Sequence, residues 1–321
     1  MKKRPKVILL GNGLNLAYGG ISWTNLLKQI ARRDDLPLNE LQSPMPLQAI
    51  LVTNNNIKEA LKGMDNQMYG AIQTEEQAEA LRRVLRMGFD HILTTNYSYE
   101  LEMVCRKDCS YTKSYLRKLS EHTSVVNRTE PRYLLHSYNA CTCDGVDNKI
   151  WHIHGEARKP DSMILGHYYY ASLLCRIKSE VDAKKNEYLE KQLAGKENLV
   201  ESWMDAFILG DVYILGFGFD LSEFDLWWLL NRKFNEKADH GHVYYLEPKS
   251  PVLDEKLELL KLLEVEPKHY DITLPKNPGE DAAEEEKQVY RNLRVEAYRE
   301  FYARALDDLE VKMAEGESSI L

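Results

Sequence analysis

The chain has 321 residues, 44% apolar and 29% charged, with 17 glycines and 11 prolines. That is an ordinary globular composition, and it excludes a collagen-like, disulfide-scaffolded or wholly disordered chain. Fifty acidic against 42 basic residues leave a net charge of −8, which argues against a protein held mainly on nucleic-acid phosphates.

The basic start (Lys2, Lys3, Arg4, Lys6) precedes an apolar run of only Val7 to Leu10, too short for a signal peptide. No uncharged apolar stretch is long enough for a spanning helix. A cytoplasmic protein with no membrane partner is therefore expected. Lys6–Leu10 itself is apolar almost throughout, the pattern of a strand buried on both faces. It ends in Gly11-Asn12-Gly13. Ser22 is placed to cap a helix carrying Trp23, Leu26, Leu27, Ile30 and Ala31. Residues 40–73 show no clear pattern. Thr74-Glu75-Glu76-Gln77 fits a capping box, Ala78, Leu81, Val84 and Leu85 follow at helical spacing, and Gly88 can end that helix.

His91–Asn96 reads as a second buried strand ending in polar residues, with a helix from Tyr97 to about Cys109. Tyr133–His136 and Lys149–His154 read as further strands. Met163–Leu165 is a short apolar run. Residues 176–205 are polar and helical in character. Asp211–Gly216 is another buried strand, followed by Phe217, Gly218, Phe219 and Asp220. Ser222 would cap a helix holding Phe224, Trp227, Trp228 and Leu230, and His242–Leu246 is one more strand. Residues 275–286 look like a solvated acidic linker before a last helix over 287–313. Strands alternating with helices imply an α/β fold with a mostly parallel sheet, whose ligands bind at the carboxyl ends of the strands.

The residues with chemical potential gather at those ends. Gly11-Asn12-Gly13 is either the start of a dinucleotide-binding turn or a plain strand-to-helix turn. Leu16 stands where the third glycine of the fingerprint belongs, and no acid-tipped strand follows, which disfavours a nicotinamide dehydrogenase. Asn96 offers a donor and an acceptor for a ribose hydroxyl or a water, or it caps the next helix. His152 and His154, two apart on a strand, would share a face. They suit a metal, an acid–base pair or a structural role, and Gly155 beside them permits close approach of a ligand. Five cysteines in such a chain suggest separate thiols over a disulfide framework, although Cys105, Cys109, Cys141 and Cys143 also allow a zinc site of unusual spacing. Phe224, Trp227 and Trp228 suit a core or an interface better than a base-stacking platform.

Taken in order, Gly11–Asn15, Ser22-Trp23, Thr94–Tyr97 with Glu102, His154-Gly155 and Gly216–Asp220 resemble the sirtuin-like family, specifically its bacterial NAD-hydrolase branch. The resemblance covers residues 6 to about 250. It implies a Rossmann-like core, a mostly parallel sheet with flanking helices and a smaller inserted helical subdomain. It places Asn96 near the nicotinamide ribose and makes His154 the catalytic histidine. It implies NAD contacts at Gly11, Asn12, Gly13, Asn15, Thr95, Gly216, Gly218 and Asp220, with Asn15 replacing the usual Ser. Residues 1–274 would form the catalytic domain, with helical insertions near 40–90 and 176–205, and 275–321 the linker and C-terminal helix. Ser98 stands where relatives often carry Asp. Only Cys175 follows His154, so the zinc module of protein deacylases is absent and water is favoured as the acceptor. NAD is expected as substrate, without a metal. Relatives of this type are anti-phage effectors that deplete NAD, so a homo-oligomer or a separately encoded sensor is the expected partner. A deacylase, an ADP-ribosyltransferase or a non-catalytic NAD sensor are the alternatives.

Overall fold

The computed structural model of the protein describes residues 4–32, 43–62, 70–105, 124–126, 132–184, 200–236, 241–249, 255–279 and 281–318. Its elements run β1 (Lys6–Leu10), α1 (Gly13–Ala17), α2 (Trp23–Ala31), α3 (Met45–Val52), α4 (Ile57–Lys62), α5 (Glu75–Arg86), β2 (His91–Thr94) and α6 (Glu100–Val104). Then come β3 (Ser124–Val126), β4 (Tyr138–Cys143), β5 (Val146–His152), α7 (His167–Ala183), α8 (Trp203–Leu209), β6 (Asp211–Leu215) and α9 (Phe224–Asn235). The chain closes with β7 (Val243–Pro248), α10 (Glu255–Leu262), β8 (Val265–Tyr270) and α11 (Glu284–Ser318).

The fold is α/β, a mostly parallel eight-stranded sheet among the described residues, in the order β3-β4-β5-β2-β1-β6-β7-β8. The six strands from β5 to β8 are mutually parallel, and the antiparallel β3–β4–β5 ribbon extends one edge. From β1 the chain moves outward through β2 to β5, then returns to β6 and moves the other way through β7 to β8. The order therefore reverses between β1 and β6, the Rossmann-like switch point where a crevice opens beyond the strand ends.

Alternation along the central strands supplies two cores. Ile8, Leu10, Ile92 and Leu215 face a layer built by α1, α2, α5, α6 and α11, while Val7, Leu9, Leu93, Val212 and Ile214 face α7, α8, α9 and α10. Strands with both faces covered must be apolar throughout, which is why β1, β2 and β6 were visible as continuous apolar runs. Helices α3 and α4 pack on α2, on the 160–162 turn and on the start of α7. They cover chain that follows the carboxyl end of β5.

Several expectations are revised. Residues 133–136 are irregular chain that bends at Leu135 and His136, with Leu135 N–H donating to the Tyr133 carbonyl, and are not a strand. The strand expected at 149–154 runs from Val146 and stops at His152. Glu223, not Ser222, precedes α9 as its cap residue, and it makes no side-chain cap bond. Ser222 instead bonds Asp220 Oδ1 through its N–H at 2.8 Å. The capping residues Ser22 and Thr74 are as expected. Gln77 returns its bond to the N–H of Gln73, at 2.7 Å, and not to Thr74. Glu284–Glu286, read as linker, form the first turn of α11, where carboxylates complement the helix dipole. The helix expected to reach Cys109 is described only over Glu100–Val104, and Cys109 lies outside the described residues, as do 33–42, 63–69 and 185–199 of the two insertions. No helix among the described residues is long and apolar enough to cross a membrane.

One buried amine, whose pKa burial lowers to about 7, ties α9 to the end of α8. Lys233 Nζ, 2% exposed, donates to the carbonyls of Phe207, Ile208 and Gly210 at 3.0, 2.9 and 2.6 Å. These are carbonyls that a helix end leaves without an internal partner. Lys233→Met keeps the volume and strands those acceptors, so it should destabilise the protein by about 3 kcal/mol in urea unfolding. A loss under about 1 kcal/mol would show that the carbonyls find other partners.

Candidate functional site

The switch point is closed by two glycine turns. Gly11 N–H donates to the Leu215 carbonyl at 3.0 Å and Gly13 N–H to the Gly216 carbonyl at 2.8 Å. A Cβ on Gly11 would overlap the Gly216 oxygen, and one on Gly13 would overlap the Tyr302 hydroxyl and stand 2.7 Å from that same oxygen. The glycines are thus required by the approach of one turn to the other, which leaves their missing side chains no open space. Gly216 has φ +66°, and a Cβ there would sit 3.2 Å from the same hydroxyl. Gly218 differs: nothing lies within 4 Å of where its Cβ would be.

Asn12 and Asn15 are spent on the loop. Asn12 Nδ2 donates to the Ile21 carbonyl at 2.8 Å, Asn15 Nδ2 to Asn12 Oδ1 at 3.3 Å, and Gln77 Nε2 to Asn15 Oδ1 at 3.0 Å. Asp220 is exposed and organises the approach to α9, its carbonyl accepting from Trp227 Nε1 at 3.0 Å.

The ends of β2 and β5 are joined in the same way. Ile153 N–H donates to the Thr94 carbonyl at 2.9 Å, and His152 Nδ1 meets the Asn96 carbonyl at 2.7 Å. Asn96 N–H is held by Thr94 Oγ1 at 3.1 Å. The Asn96 side-chain amide has no partner among the described residues, and it does not cap α6, whose cap residue is Tyr99. Thr95 and Asn96 are both half-buried, at the end of β2.

His152 and His154 part company, contrary to the shared face that strand alternation predicts. The strand ends at His152, and a turn follows in which Gly155 N–H bonds the His152 carbonyl at 3.0 Å. Gly155 holds φ +91°, and a Cβ there would overlap the Ser162 carbonyl. Its lack of a side chain serves the turn, and the space a ligand was expected to use is filled by Ser162. His152 turns to one core, where Nε2 lies 2.9 Å from Glu102 Oε1, which also accepts from Asn139 Nδ2 at 2.8 Å. Both ring nitrogens therefore face acceptors, which requires an imidazolium. Burial opposes that charge, but Glu102 outweighs it and raises the pKa to about 9.

His154 turns to the opposite core. Its Nε2 lies 2.8 Å from Asp225 Oδ2, in the first turn of α9, and 3.9 Å from Glu223 Oε2. Its ring stands edge-on to Tyr170 at 5.3 Å. Burial again opposes the proton, and Asp225 and then Glu223 raise the pKa above the ordinary histidine value. Burial raises Glu223 in turn, to about 7, against the pull of His154. Asp225 Oδ1 and Glu223 Oε2 are buried without hydrogen-bond partners. Donor atoms of His154, Glu223 and Asp225 all lie within 4.8 Å of one another, close enough to share a cation. None of the described cysteines joins such a group.

Of the residues picked out in the sequence, Asn96 and His154 lie just beyond the ends of the neighbouring strands β2 and β5, while Asp225, Glu223 and Tyr170, which surround His154, were not picked out. The only signal for them is the acidic pair two residues apart at the start of a helix that follows a strand-end loop. No family model matches the chain, and no curated protein matches it.

The His152 imidazolium makes stability depend on pH. Its folded pKa, about 9, lies above the unfolded value, so its contribution is complete below about pH 6.5 and is lost as pH rises through 9. Urea midpoints should fall between pH 6.5 and 9 in the wild type. Glu102→Gln, which removes the carboxylate partner, should flatten that slope, and an unchanged slope would reject the charge assignment.

Proposed function

We propose that the protein is an NAD hydrolase, cleaving NAD to nicotinamide and ADP-ribose. The observation that carries this reading is the placement of a free Asn96 amide and an acid-oriented His154 at neighbouring strand ends beside a Rossmann-like switch point. The sirtuin-like resemblance at the same residues supports it. Nicotinamide leaves C1 of the ribose through an oxocarbenium-like state, as in glycoside cleavage, and water adds at that carbon. Asn96 positions the ribose or the attacking water. His154 takes the water's proton at Nδ1, which has no partner among the described residues, while Asp225 fixes the ring through Nε2. The dry surroundings built by Tyr97, Tyr170 and Ile164 protect the sugar cation from stray solvent.

The test is nicotinamide release from NAD. His154→Ala and Asn96→Ala should each lower kcat by at least about a hundredfold in folded protein. Asp225→Asn should lower it about ten- to a thousandfold with little change in KM. A base must be neutral to act, and the pKa of His154 is raised. Activity should therefore rise with pH along an acid limb above the ordinary histidine range near 6.5, and Asp225→Asn should move that limb to lower pH. ADP-ribose binding without any release would leave a sensor in place of the enzyme.

In this reading the protein is a cytoplasmic effector that depletes NAD in anti-phage defence. Its turnover is switched on by self-association or by a separately encoded partner. The exposed Leu221 and Phe224 at the start of α9 lie next to Glu223 and Asp225, so a contact there would be felt at His154. A gel-filtration monomer with full turnover would overturn that regulation.

A further inference from the structure

His154 faces more oxygen than one N–H can bond. It comes from the turn after β5, while Glu223 and Asp225 come from the start of α9. Its Nε2 lies 2.8 Å from Asp225 Oδ2 and 3.9 Å from Glu223 Oε2. Asp225 is fully buried, and its second oxygen, Oδ1, has no hydrogen-bond partner, nor has the buried Glu223 Oε2. Capping of α9 does not account for them. Glu223, the cap residue, makes no side-chain cap bond, and Asp225 Oδ1 accepts from no N–H of the first turn. Buried acceptors left bare in this way are unfavourable.

The same three side chains hold what a cation needs. A divalent cation balances two buried carboxylates, which a single imidazolium cannot do. Ligand atoms held about 2.0–2.2 Å from one ion stand roughly 3–4 Å from each other, and donor atoms of His154, Glu223 and Asp225 all lie within 4.8 Å of one another. An imidazole nitrogen among carboxylate oxygens suits zinc and its first-row neighbours better than magnesium or calcium, which take oxygen alone. The side chain of Glu223 keeps 13% of its surface exposed, so the group can be reached from solvent at that end.

We propose that His154, Glu223 and Asp225 form a binding site for a divalent transition metal of the zinc class, with three protein ligands and water completing the shell. This goes beyond the hydrolase reading and departs from the metal-free expectation that the resemblance implies. A metal on Nε2 takes the place of the proton shared with Asp225. The metal-bound site and the Asp225-oriented histidine are therefore alternative states of the same three residues.

Zinc titration of the full chain against a chromogenic chelator tests it, for wild type, Glu223→Gln and Asp225→Asn, with thermal unfolding of each protein with and without zinc. The expected result is one zinc bound per wild-type chain and an affinity at least about tenfold lower in either variant. Zinc should raise the melting temperature of the wild type and of neither variant, and magnesium at the same concentration should raise none. Should Asp225→Asn fail to fold, Glu223→Gln, on the partly exposed carboxyl, carries the comparison. A wild type that binds no zinc would overturn the site, as would equal zinc affinity in folded Glu223→Gln or an equal shift with magnesium. Cobalt(II) separates this site from the cysteines. Cobalt absorption without a thiolate-to-metal charge-transfer band supports the assignment, and a strong band of that kind overturns it. No nucleotide enters these measurements, so their failure leaves the hydrolase reading standing. A protein that binds zinc here but releases no nicotinamide would lose that reading alone.

Discussion

Two turns of backbone cannot approach within hydrogen-bonding distance while carrying side chains between them. Gly11 and Gly13 meet Leu215 and Gly216 under that restriction, and their two N–H···O bonds clamp the ends of β1 and β6 together. Much else follows from the clamp. It fixes the crevice at the point of strand reversal. It leaves Gly218 as the member of the second turn with open space around it. It also sets the height at which α1 and α11 can cross the sheet. A methyl group at Gly11 or Gly13 would push against backbone, which has no rotamer with which to yield.

Beyond the clamp, the site separates two histidines that the sequence places side by side. The end of β5 is the cause. At His152 the pleat still governs side-chain direction, and the ring joins Glu102 and Asn139. Within the turn that Gly155 closes the pleat no longer applies, and His154 swings to the helix on the other face. One imidazole becomes a fixed cation that holds the Asn96 carbonyl. The other is paired with Asp225 by one nitrogen only. Asp225 Oδ1 and Glu223 Oε2 are buried without partners beside the second histidine, which leaves acceptor capacity unused next to its ring.

The parallel centre of the sheet was legible because burial on both faces writes an unbroken apolar run, as in Val7–Leu10 and Val212–Leu215. The edges were not. β8, Val265–Tyr270, alternates Val, Glu, Pro, Lys, His, Tyr with most of its residues partly or fully exposed, and β4 mixes Asn and Thr with its cysteines. Such strands exist because a neighbour pairs with them, which no local pattern records. Tyr133–His136 has the composition of a strand but no ladder to join. At the site, strand-end residues could be picked out because they follow apolar runs directly. Their acidic partners lie 50 and 71 residues away, and only the crossing of α6 and α9 over the sheet brings them in.

The meeting of α11 with the first turn of the chain also has a consequence in time. Arg299 and Ala17 are 282 positions apart, and a ribosome adding roughly 5–20 residues per second needs on the order of 15–60 s to span that gap. Throughout that interval Ile8, Leu10 and Leu14 lack the Phe301, Leu306 and Leu309 that cover them in the finished protein. The nascent chain therefore carries an open apolar face that invites a chaperone.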